Sequence, residues 1–199
     1  MKTLLSFIIL GLACVSIQAQ KLYPISGGTG TEPDPKDKKI ILLVAENEGL
    51  KLTLGRSEKY KPKSGLMALW LKIENRTDKP LSVDPAKFNY VDDEGRGYSG
   101  FAPKDAIKKA LDSSAGKRSA LGMVLAGPLA GPAMMEAAER KVTEDVNREA
   151  IQPGEIPAHS FKDGIIFFEA PKKKQTTIKV ALTDLWPEPF IFSTEKPKK

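Results

Sequence analysis

The sequence predicts a mainly β protein, an antiparallel β-sandwich interrupted by one helical insertion. Three observations carry this expectation. Short apolar or alternating segments recur between turns rich in Gly, Pro and Asp. No run of alternating strands and helices suggests a parallel sheet. One stretch, at about residues 103–151, changes from a period of two to a helical period.

In chain order, the first element is a leader. Lys2 precedes an apolar run from Leu4 to Val15 that ends in small and polar residues at Ser16 to Gln20, so residues 1–19 read as an export signal. Three outcomes are open. Cleavage after Ala19 releases a chain beginning at Gln20. Cleavage before Cys14, in a Leu10-Gly11-Leu12-Ala13-Cys14 segment that resembles a bacterial lipobox, leaves a lipidated protein. An uncleaved anchor is the third, although its apolar run falls short of the roughly twenty residues that span a bilayer.

Residues 20–38 read as a flexible linker, because Gly27-Gly28-Thr29-Gly30 is permissive and Glu32 to Asp37 has nothing to bury. From residue 39 to 195 the pattern is that of one domain. Ile40 to Val44 reads as a buried strand and Leu50 to Leu54 as a half-buried one, with Glu46 to Gly49 turning between them. Leu66 to Glu74 alternates strictly, with Met67, Leu69, Leu71 and Ile73 on one face and Ala68, Trp70, Lys72 and Glu74 on the other. Asn75 to Pro80 turns the chain into a short strand at Leu81 to Val83, and Phe88, Tyr90 and Val91 lie in another. The triplet Asn75-Arg76-Thr77 fits a glycosylation acceptor and is read here as turn chemistry. Asp92 to Gly97 is the next turn; its three consecutive carboxylates point apart and lack the alternating spacing of a calcium loop.

The insertion begins at Pro103, suited to the first position of a helix, and Lys104 to Leu111 follows with Ala106, Ile107, Ala110 and Leu111 on one stripe. Ser119 to Met135 contains no charged residue. Ala133 to Ala150 reads as an amphipathic helix stopped by Pro153-Gly154. Strands then resume near Ile156, at Asp163 to Glu169, at Thr176 to Leu182 and at Pro189 to Ser193, before a basic tail at residues 196–199.

Composition removes several chemistries. Cys14 is the sole cysteine, so no intrachain disulfide forms and neither a cysteine zinc site nor, after processing, a cysteine nucleophile is expected. His159 is the sole histidine, in a segment without nucleophile-elbow geometry. No glycine-rich loop carries the Lys-Ser/Thr ending of a phosphate cradle. The chain is expected to have no catalytic, cofactor or metal residues and not to be an enzyme. Its 31 basic against 25 acidic residues make it mildly basic, and export makes nucleic acid an implausible partner.

The succession Leu69-Trp70-Leu71-Lys72-Ile73-Glu74-Asn75-Arg76-Thr77-Asp78-Lys79-Pro80, then Asp92 to Tyr98, then Ile151 to Gly154 and Gly164 to Pro171, resembles the telokin-like, immunoglobulin-fold family of bacterial exported domains of unknown function. The resemblance spans roughly Leu50 to Leu185, without the helical insertion. It implies an immunoglobulin-like sandwich and an extracytoplasmic address, periplasmic or secreted, with no activity attached. The expected function is a noncatalytic envelope module that binds another protein or surface. The alternative is membrane association or self-assembly through the uncharged run, with Leu121, Met123, Val124, Leu125, Leu129 and Met134 as candidate contacts.

Overall fold

Alternation in Leu66–Asn75 (β5) and in Ser160–Glu169 (β10) lets each strand bury both of its faces. The two pair antiparallel without a break, from Asn75 opposite Ser160 to Leu66 opposite Glu169. In the computed structural model, which describes residues 22–38, 40–57, 66–112, 132–171 and 175–195, this pair is the centre of an antiparallel β-sandwich with a helical insertion. One face of the ladder carries Met67, Leu69, Leu71, Ile73, Ile166 and Phe168 into the core between two sheet layers. The other carries Leu66, Ala68, Ile165 and Phe167 into a second core beneath the helices. Phe167 and Phe168, adjacent in sequence and both buried, thus serve different cores.

The helix-bearing layer continues outward from β5 through Leu50–Arg56 (β4), Ile41–Glu46 (β3) and Gly30–Pro33 (β2). On the far side of β10, Gly97–Phe101 (β8) makes the corner. Phe101 and Gly100 pair with Phe167 and Phe168 of β10, whereas Gly97 to Ser99 pair with Asn89–Val91 (β7). Beyond β7 come Thr177–Ala181 (β11), Phe190–Ser193 (β12) and Tyr23–Ser26 (β1), which form the second layer, bare in that no described element covers its outer face. Its inner residues Tyr90, Ile178, Val180, Phe190 and Phe192 complete the main core. A two-stranded sheet of Leu81–Val83 (β6) and Gly154–Ile156 (β9) stands beside these layers.

The insertion supplies a third layer. Helix α1, residues 103–112, starts at Pro103 as the sequence suggests. Pro132–Glu149 forms α2. Ala106 and Ala110 of α1, with Val146 of α2 and Ala150 beyond it, lie on the outer face of β5 and β10, with Ile107 and Val142 packed alongside. Small residues permit this close approach, and Gly164 shows how close it is. A Cβ there would lie 2.6 Å from the carbonyl oxygen of Glu149, and the next turn of chain is fastened by the Ile151 N–H on the carbonyl of Ile165 at 3.0 Å.

Two features depart from the sequence reading. Within residues 20–38, read as linker, β1 pairs with β12 and β2 pairs with β3. Leu22 is buried in the main core, and the chain crosses between the layers at Gly27-Gly28. Gly28 has φ +77 and would place a Cβ 2.2 Å from the Val44 carbonyl, so its permissiveness serves a fixed crossing. Strand β8, absent from the expectation, is a Gly-Tyr-Ser-Gly-Phe segment of low strand propensity held by neighbours on both sides. The export signal with Cys14 and Ala19, and the tail, lie outside the described residues.

Both cores should be necessary. Phe167→Ala is expected to lower unfolding stability by about 3–5 kcal/mol in denaturant titrations, as a buried aromatic in the main core would. Deleting residues 106–150 should leave an aggregating chain, because Leu66, Ala68, Ile165 and Phe167 lose their cover; a monomeric, cooperatively folding deletion would show that the helices are dispensable.

Candidate functional site

Polar residues of the turn after β7 are committed to building the fold. The Asp92 side chain is buried and accepts hydrogen bonds from the backbone N–H groups of Glu94 and Arg96, from Arg96 Nε at 2.8 Å and from the Tyr98 hydroxyl at 3.1 Å. Desolvation pushes its carboxyl upward, but these hydrogen bonds, chiefly from the Arg96 backbone and guanidinium, outweigh it and hold the group below its ordinary value. Asp93 reaches across to the start of β11, accepting from the N–H and hydroxyl of Thr176 and from the N–H of Thr177. The backbone hydrogen bond from Thr176 leads the causes that lower its pKa.

The same turn reaches the sheet corner. Tyr98 stacks on Tyr90 with centroids 4.5 Å apart, and Tyr90 meets Phe168 edge-on at 5.5 Å. The Tyr90 hydroxyl donates to the Glu169 carbonyl at 2.8 Å. Burial, then the nearby Tyr98, Asp92 and Glu169, hold the Tyr90 hydroxyl well above its ordinary pKa. Glu169 in turn pairs with Lys109 of α1 at 2.8 Å. Carboxylates engaged in this way stabilise a joint between layers and leave no open coordination sphere; among the described residues no cluster of three or more His, Asp or Glu is placed to hold a metal ion.

His159 lies in the turn between β9 and β10 with φ 53, its Nε2 2.8 Å from Asp78 Oδ1, both side chains exposed. Among the described residues no serine hydroxyl bonds to the ring, so the pair is a surface contact between two turns. Asn75 is buried, and its amide nitrogen lies 2.7–3.1 Å from the carbonyls of Lys79, Ile156 and Pro157. Its own carbonyl accepts from the N–H and hydroxyl of Thr77. The folded chain therefore offers no free Asn75 amide for glycan attachment, in agreement with the reading as turn chemistry.

The sheet surfaces remain. Each edge strand of the ten-stranded sheet has four residues and contains a proline; β1 also has a register shift between Pro24 and Ser26. Such edges resist addition of a further strand. On the helix-bearing layer, the uncovered part of the outer face is a charged platform. Glu46, Lys51, Glu74 and Phe161 stand opposite one another across four strands, with Lys72 and Asp163 in the next row. Most of these charges are paired, Lys51 with Glu32 and Lys72 with Glu74. Phe161 is 60% exposed, with the Lys72 ammonium 4.8 Å from its ring centroid.

The outer face of the bare layer is different in kind. Across its five strands it presents Tyr23, Ile25, Ile191, Val91, Ala181 and small polar residues, and Lys179 is the sole charged side chain there among the described residues. Ile25 is 57% exposed. No sequence signal isolates this face, because its members come from five separated segments and each contributes only two or three alternate positions.

Of the residues singled out in the uncharged run, Leu121, Met123, Val124, Leu125 and Leu129 lie outside the described residues, and Met134 is in α2 with its side chain outside the description. Among the described residues no helix is long and apolar enough to cross a membrane.

No family model and no curated protein matches the chain. Solved structures similar to it include the yjhA protein of Bacillus subtilis, at a TM-score of 0.40 and 9% identity over 72% of this chain and 81% of that one. A secreted protein of Mycobacterium tuberculosis, MPT63, matches at 0.38 and 14% identity over 86% and 98%. A conserved hypothetical protein of Bacillus anthracis matches at 0.37 and 10% identity over 74% and 91%.

The acidic turn makes the fold pH-sensitive with a definite sign. Asp92 and Asp93 titrate below the roughly 3.9 of an unfolded aspartate. Their contribution is complete above that pH and is lost as pH falls through the lowered folded-state values. Thermal melts should therefore fall steeply on the acid side, and Asp93→Asn should lower stability at neutral pH while flattening that limb. An unchanged acid limb in this variant would show that Asp93 does not hold β11.

Proposed function

We propose that the chain is a noncatalytic, exported cell-envelope module that binds another envelope protein or surface through the outer face of its bare layer. The observation that carries this reading is the near absence of charge on that face in a chain whose residues are 28% charged. Centres of protein interfaces are depleted of charged side chains, and the other surfaces suit docking less well. The edges of the ten-stranded sheet are blunted by proline, part of the opposite outer face lies under α1 and α2, and the rest carries charges most of which are paired. The leader supports an extracytoplasmic location, periplasmic or secreted, and the resemblance to telokin-like, immunoglobulin-fold exported domains belongs to the same proposal. Commitment of Asp92, Asp93 and Asn75 to structural hydrogen bonds supports a binding role over a catalytic one.

Site-specific photocrosslinking in intact cells tests this directly. A photoreactive side chain at position 191, on the bare face, should give a discrete crosslinked species, whereas one at position 161, on the charged platform, should give little. Equal labelling from both positions, or labelling from 161 alone, contradicts the assignment of the face.

A further inference from the structure

The one charge on the outer face of the bare layer stands at its centre. The layer runs β1, β12, β11, β7, β8, so β11 is the third of five strands, and Lys179 is the third of its five residues. Alternation points Ile178 and Val180 into the main core and leaves Lys179 exposed on the outer side. Its cross-strand neighbours are Ile191 on β12 and Val91 on β7. Neither flanking row of the face, through Thr177 or through Ala181, contains a carboxylate.

Among the described residues no hydrogen bond or ion pair engages the Lys179 ammonium. Acids that border the face are occupied or lie off it. Asp93 accepts from Thr176 and Thr177, Glu94 pairs with Arg96, and Asp184 pairs with Lys87 at 3.0 Å. Glu188 and Glu195 lie beyond the two ends of β12. A partner that covers Ile191 and Val91 must therefore cover Lys179 as well. Taking an ammonium out of water without an opposite charge is costly, and this face has no acid to supply. The partner must bring it.

We infer that the face takes a protein partner whose apolar surface carries one Asp or Glu side chain placed to meet the Lys179 ammonium. The inference rests on the reading of this face as the docking surface and names the chemistry of its occupant. Charge complementarity selects that occupant over two others. In an isologous pair of copies centred on this face, Lys179 would meet its own counterpart with no acid between them. An anionic membrane gains only about fivefold from a single lysine, and lipid recognition relies on clusters of such residues. A carboxylate held by a folded partner is desolvated together with the ammonium. Lys179 is thereby a specificity determinant: Ile25, Ile191 and Val91 accept many apolar surfaces, whereas a central ammonium rejects those that lack an acid opposite it.

Zero-length coupling in intact cells tests the pairing. A water-soluble carbodiimide joins an amine to a carboxylate in direct contact, so peptide mass spectrometry of the treated full-length chain should recover Lys179 amide-linked to an Asp or Glu side chain. That acid should belong to the protein captured from position 191. The yield of capture from 191 is the second readout. Lys179→Glu and Lys179→Met should each lower it by at least about tenfold, and Lys179→Arg by less than about threefold. Thermal melts of all three should match the parent, because the side chain is exposed. Undiminished yield in Lys179→Glu, a raised yield in Lys179→Met as expected of a lysine that only keeps the face soluble, capture of a second copy of this chain, capture of phospholipid alone, or capture without Lys179 in an amide link would overturn the inference. Capture from 191 that ignores Lys179 leaves the docking face standing, whereas no capture from 191 in the parent removes the face and this inference with it, so the two failures are distinguishable.

Discussion

Burial of both faces of the β5–β10 ladder is the constraint on which the rest of the structure depends. An antiparallel sheet can leave one face in water, but this pair carries Leu66, Ala68, Ile165 and Phe167 on the face that a two-layer sandwich would expose. A third layer must cover them, and α1 and α2 do so with alanine and valine, whose small size brings the helices close to the sheet. Gly164 is the complement of that choice on the strand side. The excursion is therefore part of the architecture, and its cost in chain entropy is offset by a second apolar core.

A second joint connects this ladder with the bare layer. Asp92, Tyr98 and Tyr90 form one line of contacts from the β7–β8 turn to the end of β10, and Lys109 extends it to α1 through Glu169. Rigid placement of β8 by both layers fixes the angle at which the bare layer leaves the corner. That in turn fixes which alternate residues of β1, β12, β11 and β7 face outward, so the uncharged surface is a consequence of register.

Much of this was legible in the residues. Period two in Leu66 to Glu74 assigns each side chain of β5 to its observed face, and the stripe of Ala106, Ile107 and Ala110 predicts α1. What the sequence did not reveal has a common physical origin. Strands β1, β2 and β8 consist of Gly, Pro, Ser, Thr and few large apolar residues, so local propensity and patterning say nothing in their favour. Their pairing is imposed by neighbouring strands and by single anchors such as Leu22. The candidate surface was illegible for a related reason: charge depletion over five strands is a property of the assembled face, whereas conspicuous local features, the three carboxylates at 92–94 and His159, prove to be engaged in turns.

Native-state hydrogen exchange along the unfolding transition tests the three-layer account most directly, by comparing amides of α1 and α2 with those of β5 and β10. The account predicts that described helix amides packed on the sheet, around Ala106, Ala110 and Val146, and those of the central ladder share one high opening free energy, with β1 and β2 opening earlier. If the helices exchange freely while the ladder stays protected, the outer face of β5 and β10 does not need its cover, and the insertion is an appendage to a two-layer sandwich.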